Sequence, residues 1–305
     1  MGYGYWTRDS FIRYSTERGR TVDAAGRLDS RLTDRQIFTQ TRLHPTLNPR
    51  GVVRECCDST DHPETVPVIL ALDVTGSMGP ASVAVAREMN GVMTRLYDRI
   101  RDVEFLVMGI GDLAYDMAPI QMSQFEADIR IAEQLDRVYM EHGGGGNDYE
   151  SYTAAWYMGL HHTRLDCWKR GKKGLIITMG DETLNPYLPA APLSAVTGDR
   201  LQADVETPAL YRETLKRFDI YHIHVNHQSS VSWKERVLHS FGTLLPRGRI
   251  LEAPVAGIAE TLIGIITDFA RGGEAEPEEQ PVREIAWETG DPAGGEERME
   301  RVVSW

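Results

Sequence analysis

Residues 66–78 read Val66-Pro67-Val68-Ile69-Leu70-Ala71-Leu72-Asp73-Val74-Thr75-Gly76-Ser77-Met78. The first seven positions are apolar or proline with no polar alternation. That pattern suits a strand buried on both faces, as in a parallel sheet covered by helices on either side. The run stops at a carboxylate. Two hydroxyls follow at alternate positions, and Gly76 permits a tight turn before the next element.

The pattern recurs downstream. VEFLVMGIG (103–111), GLIITMGD (174–181), IYHIHVNH (220–227) and RILEA (249–253) are further short apolar runs. Helical spacing lies between them: Val85, Met89, Val92, Leu96 and Ile100 form one stripe, and Ile258, Leu262, Ile265 and Phe269 another. Strand alternating with helix predicts an α/β fold, a Rossmann-like, doubly wound, mainly parallel sheet over residues 66–270. Residues 1–65 form an Arg-rich extension. Its first fifty residues hold nine Arg and no Lys against five acids, and Thr33 with Gln36 has capping-box spacing. Residues 271–305 hold ten acids against four Arg in a Pro-, Gly- and Glu-rich tail, expected to be disordered, with Val302, Val303 and Trp305 at its end.

Composition narrows the function classes. Net charge is −12 over 305 residues, which argues against a nucleic-acid binder. Three cysteines, Cys56, Cys57 and Cys167, make neither a disulfide framework nor a four-ligand zinc site, and fit a reducing compartment. The N-terminus carries charges and aromatics where a signal peptide is apolar, and the run 255–270 is broken by Glu260 and Asp268. The expectation is a cytoplasmic protein without a membrane partner.

Ligands of open α/β sheets bind beyond the carboxyl ends of the strands. Asp73, Thr75 and Ser77 sit there, as does Asp181 after the strand LIIT. A loop of four glycines, His142-Gly143-Gly144-Gly145-Gly146-Asn147-Asp148-Tyr149-Glu150, brings Asn147 or Asp148 toward the same point and opens a helix through Tyr152, Trp156 and Leu160. Carboxylates with hydroxyls and an amide are a hard-oxygen set, suited to Mg²⁺ or Mn²⁺ and poor for zinc or copper.

This run resembles the metal-ion-dependent adhesion site of von Willebrand factor A domains, whose first motif is Asp-x-Ser/Thr-x-Ser at the end of the first strand. The resemblance covers roughly residues 66–270. It implies a metal held by Asp73, Thr75, Ser77, Asn147 and Asp181, with Asp148 as the substitute for Asn147. The last acid departs from the usual Thr-Asp-Gly, since Met179 stands in that place and Asp181 follows Gly180. It further implies recognition without catalysis: a partner's Asp or Glu completes the coordination, with Met78, Tyr149 and His227 on the rim. Intracellular bacterial members of the family serve AAA+ ATPases, chelatases or stress systems, so an adaptor for such a partner is the expectation.

Other readings stand beside this one. Asp73, Thr75 and Ser77 are also good helix caps, and Asn147 with Glu150 has capping-box spacing. His222 and His224 face one side of a strand, as a chelating pair or as hydrogen-bonded core residues. His161 and His162 end a helix, where positive charge is favoured. Gly109-Ile110-Gly111 lacks the third glycine of a dinucleotide fingerprint. Arg170-Gly171-Lys172-Lys173 reads as a solvated basic turn, and Cys167 as structural. The rival function is a phosphohydrolase similar to the haloacid dehalogenases, with Asp73 as nucleophile, Lys172 or Lys173 as the later lysine and Asp181 on Mg²⁺. Thr75 stands where that scheme needs its general acid, Asn185 stands where it needs a second acid, and nothing in it uses the glycine loop.

Overall fold

A computed structural model describes residues 4–23, 26–29, 31–141, 146–226 and 230–272. Expectations for the acidic tail, for His142–Gly145 and for His227 therefore lie outside the described residues.

Six strands form the main sheet: β1 (Val66–Asp73), β2 (Val103–Ile110), β3 (Ile120–Glu126), β4 (Gly174–Gly180), β5 (Phe218–Asn226) and β6 (Ile250–Pro254). Their order across the sheet is β6-β5-β4-β1-β2-β3. All neighbours are parallel except β3, which runs antiparallel to β2. The order reverses between β1 and β4, and that switch point puts the ends of these two strands side by side. Leu72 pairs with Met179, so Asp73 and Gly180 are the next positions on each strand.

The uniform apolarity of β1 has its reason in the two layers. Val68, Leu70 and Leu72 join one core, while Ile69 and Ala71 join the other. On the first face lie helices α2 (Gly79–Tyr97), α3 (Arg130–Leu135) and α8 (Ile258–Ala270), of which α2 and α8 contribute Val85, Met89, Val92, Leu96, Ile258, Leu262 and Ile265. The expected stripes are the buried faces of these two helices. Ile100 falls past the end of α2 and packs half-buried against the same core. On the second face lie α4 (Thr153–His161), α5 (Ala190–Thr197), α6 (Thr207–Thr214) and α7 (Val231–Gly242).

The N-terminal extension is packed on the first face. Trp6, together with Phe11 and Tyr14 of helix α1 (Arg8–Glu17), Leu28, Ile37, Phe38 and Leu47 all belong to the core that α2 builds. Thr33 accounts for its capping pattern, since its backbone N–H donates to Gln36 Oε1 at 2.9 Å at the start of a short helix, Asp34–Ile37. Strand β3 has no counterpart among the predicted runs. Its Gln121 and Ser123 interrupt the apolar pattern, yet both are buried and satisfied. Gln121 exchanges two hydrogen bonds with the Tyr139 backbone, and Ser123 Oγ accepts from Val107 N.

In the turn Arg170–Lys173, Gly171, Lys172 and Lys173 are exposed, as in a solvated loop, and Arg170 is half-buried and anchored. Arg170 pairs with Asp58 and donates to Thr65 O at 2.8 Å, tying this turn to the approach of β1.

Candidate metal centre

Asp73 is the last residue of β1 and is fully buried. Its Oδ1 accepts from Thr75 N at 2.9 Å and from Thr75 Oγ1 at 2.6 Å, a local turn set by the Asp-x-Thr spacing. A short 3₁₀ turn, Gly76–Met78, then carries the chain into α2. Ser77 is exposed on this turn. Its Oγ lies 3.4 Å from Thr75 Oγ1 and donates to Asp181 Oδ1 at 3.1 Å. Asp73, Thr75, Ser77 and Asp181 are thus linked by hydrogen bonds, with Ser77 marking the side open to solvent.

Two further residues complete the arrangement. Tyr152, at the entry of α4, donates from its hydroxyl to Asp73 Oδ2 at 2.7 Å. The same hydroxyl accepts from Glu182 N at 3.3 Å. Glycine is required at 180 because a Cβ there would stand 1.8 Å from the Tyr152 hydroxyl. Glu150 is the second missed residue. Tyr149 and Glu150 run parallel to Thr183 and Leu184, which lays the segment after the glycine loop beside the segment that carries Asp181. The spacing Glu-x-Tyr before a helix was the only signal for both, and it reads equally well as a helix cap.

The electrostatics are those of crowded carboxylates. Burial raises Asp73 above the ordinary aspartate range, the Asp181 charge raises it further, and hydrogen bonds from Thr75 and Tyr152 oppose the shift. Burial also raises Glu150, followed by the charge of Asp73. Glu182 is pushed up to about 7 by burial and by Asp181 and Asp73. One Glu150 oxygen, Oε2, is buried without a hydrogen-bond partner.

These observations bear on whether the residues fit a cation. All the donors are oxygens, and the buried carboxylates repel one another. Glu150, whose ionisation the Asp73 charge opposes, has an orphaned carboxylate oxygen. A hard divalent ion relieves each of these costs. Among the described residues no three His, Cys, Asp or Glu side chains are placed to hold an ion by themselves, so hydroxyl ligands are needed. Asp73, Thr75, Ser77 and Asp181 are the ligand set that fits.

The remaining expected residues are distributed as follows. Asn147 is half-buried, and its amide donates to Asp112 Oδ2 at 2.5 Å while its Oδ1 accepts from Tyr149 N. Asp148 is exposed and pairs with Arg236 at 2.8 Å. Neither has a contact to Asp73 or Asp181 among their hydrogen bonds. Met78 is corrected: at 1% exposure it is a core residue under α2, since its apolar side chain turns inward as the 3₁₀ turn closes. Tyr149 is half-buried near Tyr115 and Tyr187. Tyr115, Met117 and Tyr187 are exposed, and Tyr115 stands against Gly146, where a Cβ would come within 2.5 Å of its ring.

His222 and His224 are fully buried. His222 stacks on Phe241 at 3.5 Å, shares a 3.0 Å hydrogen bond with Thr178 Oγ1 and is held low by burial, so it is a neutral core residue. His162 bridges Asp199 and the Val52 carbonyl. Cys167 is buried, as a structural thiol is. Lys172 and Lys173 precede β4 and pair with Glu64 and Asp219. They lie at the amino end of the sheet, opposite Asp73, which takes the lysine out of the phosphohydrolase scheme.

No protein-family model and no curated protein match the sequence. Solved structures do. The pilus adhesin SpaC from Lactobacillus rhamnosus GG, in its open conformation, aligns with a TM-score of 0.45 at 12% identity, covering 72% of this chain. The chain spans 31% of the adhesin's length. The vWF domain of the type V pili tip protein Mfa5 from Porphyromonas gingivalis aligns at 0.43 and 12% identity, over 69% of this chain and 96% of that domain. Proximal thread matrix protein 1 from the mussel byssus, in a crystal with a zinc-occupied MIDAS motif, aligns at 0.41 and 13% identity, over 70% of this chain and 48% of that one. The chain's own sheet, ordered β6-β5-β4-β1-β2-β3 with an acidic loop at the switch point, is the doubly wound, mainly parallel α/β fold expected from the sequence.

Proposed function

We propose that this chain is a protein-binding module acting through a divalent cation, Mg²⁺ or Mn²⁺, held by Asp73, Thr75, Ser77 and Asp181. A partner supplies an Asp or Glu side chain to the cation's open position. The observation that carries this reading is the hydrogen-bonded set itself: a buried Asp73 joined through Thr75 and an exposed Ser77 to Asp181 at the sheet's switch point. Two of the four proposed ligands are neutral hydroxyls, which leaves the ion electrophilic toward an outside carboxylate. Exposed Tyr115 and Tyr187, near half-buried Tyr149, supply aromatic surface of the kind protein recognition uses.

The reading assigns no bond-breaking step to the site. It places the module in a reducing, cytoplasmic setting with an AAA+ ATPase or stress-system component as its partner; the free thiols of Cys56, Cys57 and Cys167 support the setting. No helix among the described residues is long and apolar enough to cross a membrane.

The test is affinity capture from native lysate in Mg²⁺ and in EDTA, with Asp73→Ala alongside and a phosphatase substrate screen in parallel. A partner retained only by wild type in Mg²⁺ is expected. Metal-dependent turnover of a phosphoester that Asp73→Asn abolishes would replace this reading with the hydrolase.

A further inference from the structure

Glu150 is 6% exposed, and its Oε2 is buried with no hydrogen-bond partner. A buried carboxylate oxygen left unpaired costs folding free energy, so a side chain in this state is explained by a group that completes it when bound. Two observations set Glu150 beside the segments that carry Asp181 and Asp73. Glu150 pairs in register with Leu184, three residues beyond Asp181. Tyr152, two residues beyond Glu150, holds Asp73 by its hydroxyl. Asp73 is also the charged group that opposes Glu150 ionisation most, ahead of Asp116, Asp112 and Glu182. Asn147, by contrast, spends its amide on Asp112 and its oxygen on Tyr149 N.

We propose that Glu150 is an anionic positioning residue of the Asp73 centre, holding the cation through a hydrogen bond to one of its bound waters in the role the sequence pattern gives to Asn147. This rests on the metal-dependent reading above. Contact through water agrees with the finding that, among the described residues, no three His, Cys, Asp or Glu side chains are placed to ligate an ion directly. A carboxylate one water away orients that water and adds charge to the site, which raises affinity for the ion.

The experiment uses the full chain stripped with EDTA and titrated with Mn²⁺ alone, followed by calorimetry and by the Mn²⁺ electron-spin resonance signal. Glu150→Gln is expected to weaken Mn²⁺ binding about 10- to 100-fold. Glu150→Asp should retain affinity to within about tenfold and Asn147→Ala to within about threefold, while Asp73→Asn abolishes binding. Thermal unfolding gives the second readout. Glu150→Gln should raise the melting temperature in EDTA, where it removes a buried carboxyl crowded by Asp73, and shrink the rise that Mn²⁺ produces. A purely structural role would shift both temperatures equally and overturn the proposal. Wild-type affinity in Glu150→Gln, with binding lost in Asp73→Asn, overturns the role of Glu150 and leaves the metal-dependent reading standing. Failure of the wild-type chain to take up Mn²⁺ at all overturns both.

Discussion

The Tyr152 hydroxyl donates to Asp73 Oδ2 at 2.7 Å across a separation of 79 residues. It is the link between the first strand's acidic end and the helix that follows the glycine loop. A donor fixed on one carboxylate oxygen leaves the other, with Thr75, to be oriented by the local turn. Tyr152→Phe is expected to lower unfolding free energy by about 1–3 kcal/mol and to weaken Mg²⁺ binding about tenfold. Urea denaturation and calorimetry on the two proteins measure these. Unchanged affinity would show that Tyr152 serves packing alone.

Gly180→Ala attacks the same link from the other strand. The new Cβ would meet the Tyr152 hydroxyl and ring, at 1.8 and 2.4 Å, and Tyr152 is enclosed by core. The expected outcome is a loss of about 1–3 kcal/mol from overpacking, with divalent-cation binding lost too. Gly171→Ala controls for backbone strain without crowding, since it has a positive φ and no neighbours near a Cβ. It should leave cation binding intact.

Asp73 ties stability to pH with a definite sign. Its folded pKa is raised, so the unfolded chain releases this proton first. The stability it contributes is complete below the ordinary aspartate value, about 4, and falls as pH rises from there toward the shifted one. A cation reverses the trend because it needs the carboxylate deprotonated. Subtracting the unfolding profile of Asp73→Asn isolates the effect in EDTA. In Mg²⁺, affinity should rise with pH over the same window, with proton release visible as a buffer-dependent heat. Affinity flat between about pH 5 and 8 would contradict the assignment.

Ser77→Ala separates binding from folding. Ser77 is exposed and makes a single hydrogen bond to Asp181 from its side chain besides its approach to Thr75. Its loss should cost the fold no more than about 0.5–1.5 kcal/mol. Mg²⁺ affinity should fall at least about tenfold if the hydroxyl is a ligand. A variant that binds Mg²⁺ like wild type would remove Ser77 from the ligand set.

Asn90 tests the docking of the N-terminal extension. It is buried on α2, accepts from Trp6 Nε1 at 3.2 Å and donates to Gly26 O at 2.9 Å. Asn90→Leu leaves both partners buried and unsatisfied, at about 1–3 kcal/mol each. Limited proteolysis should then cleave within residues 1–50 earlier than in wild type. An unchanged cleavage pattern would mean that the apolar contacts of Trp6, Phe11 and Tyr14 are sufficient to hold the extension.

Much of this was legible in local sequence. A strand covered on both faces has no water-facing side, so Val68 to Leu72 must be apolar throughout, and that run alone fixes a buried β1. The Asp73–Thr75 turn follows from a two-residue spacing, because an aspartate accepts from the backbone two positions on. Ser77 and Asp181 fall at the site because both sit just past strand ends that the same periodicity marks.

What the chain's fold alone decided concerns groups whose partners are distant in sequence. Met78 lies next to Ser77 yet is buried, because the side on which a 3₁₀ turn closes depends on the helix behind it. The glycine-loop spacing brings Asn147 or Asp148 toward the site; the pull of Asp112 on Asn147 and of Arg236 on Asp148 is set by the fold. Strand β3 hides its polar residues by satisfying them on Tyr139 and Val107, partners no periodicity can indicate. Periodicity encodes which face of an element is dry. Which polar atom finds which partner is settled only when the elements cross, since an unpaired buried group costs the same free energy wherever its partner lies in the chain.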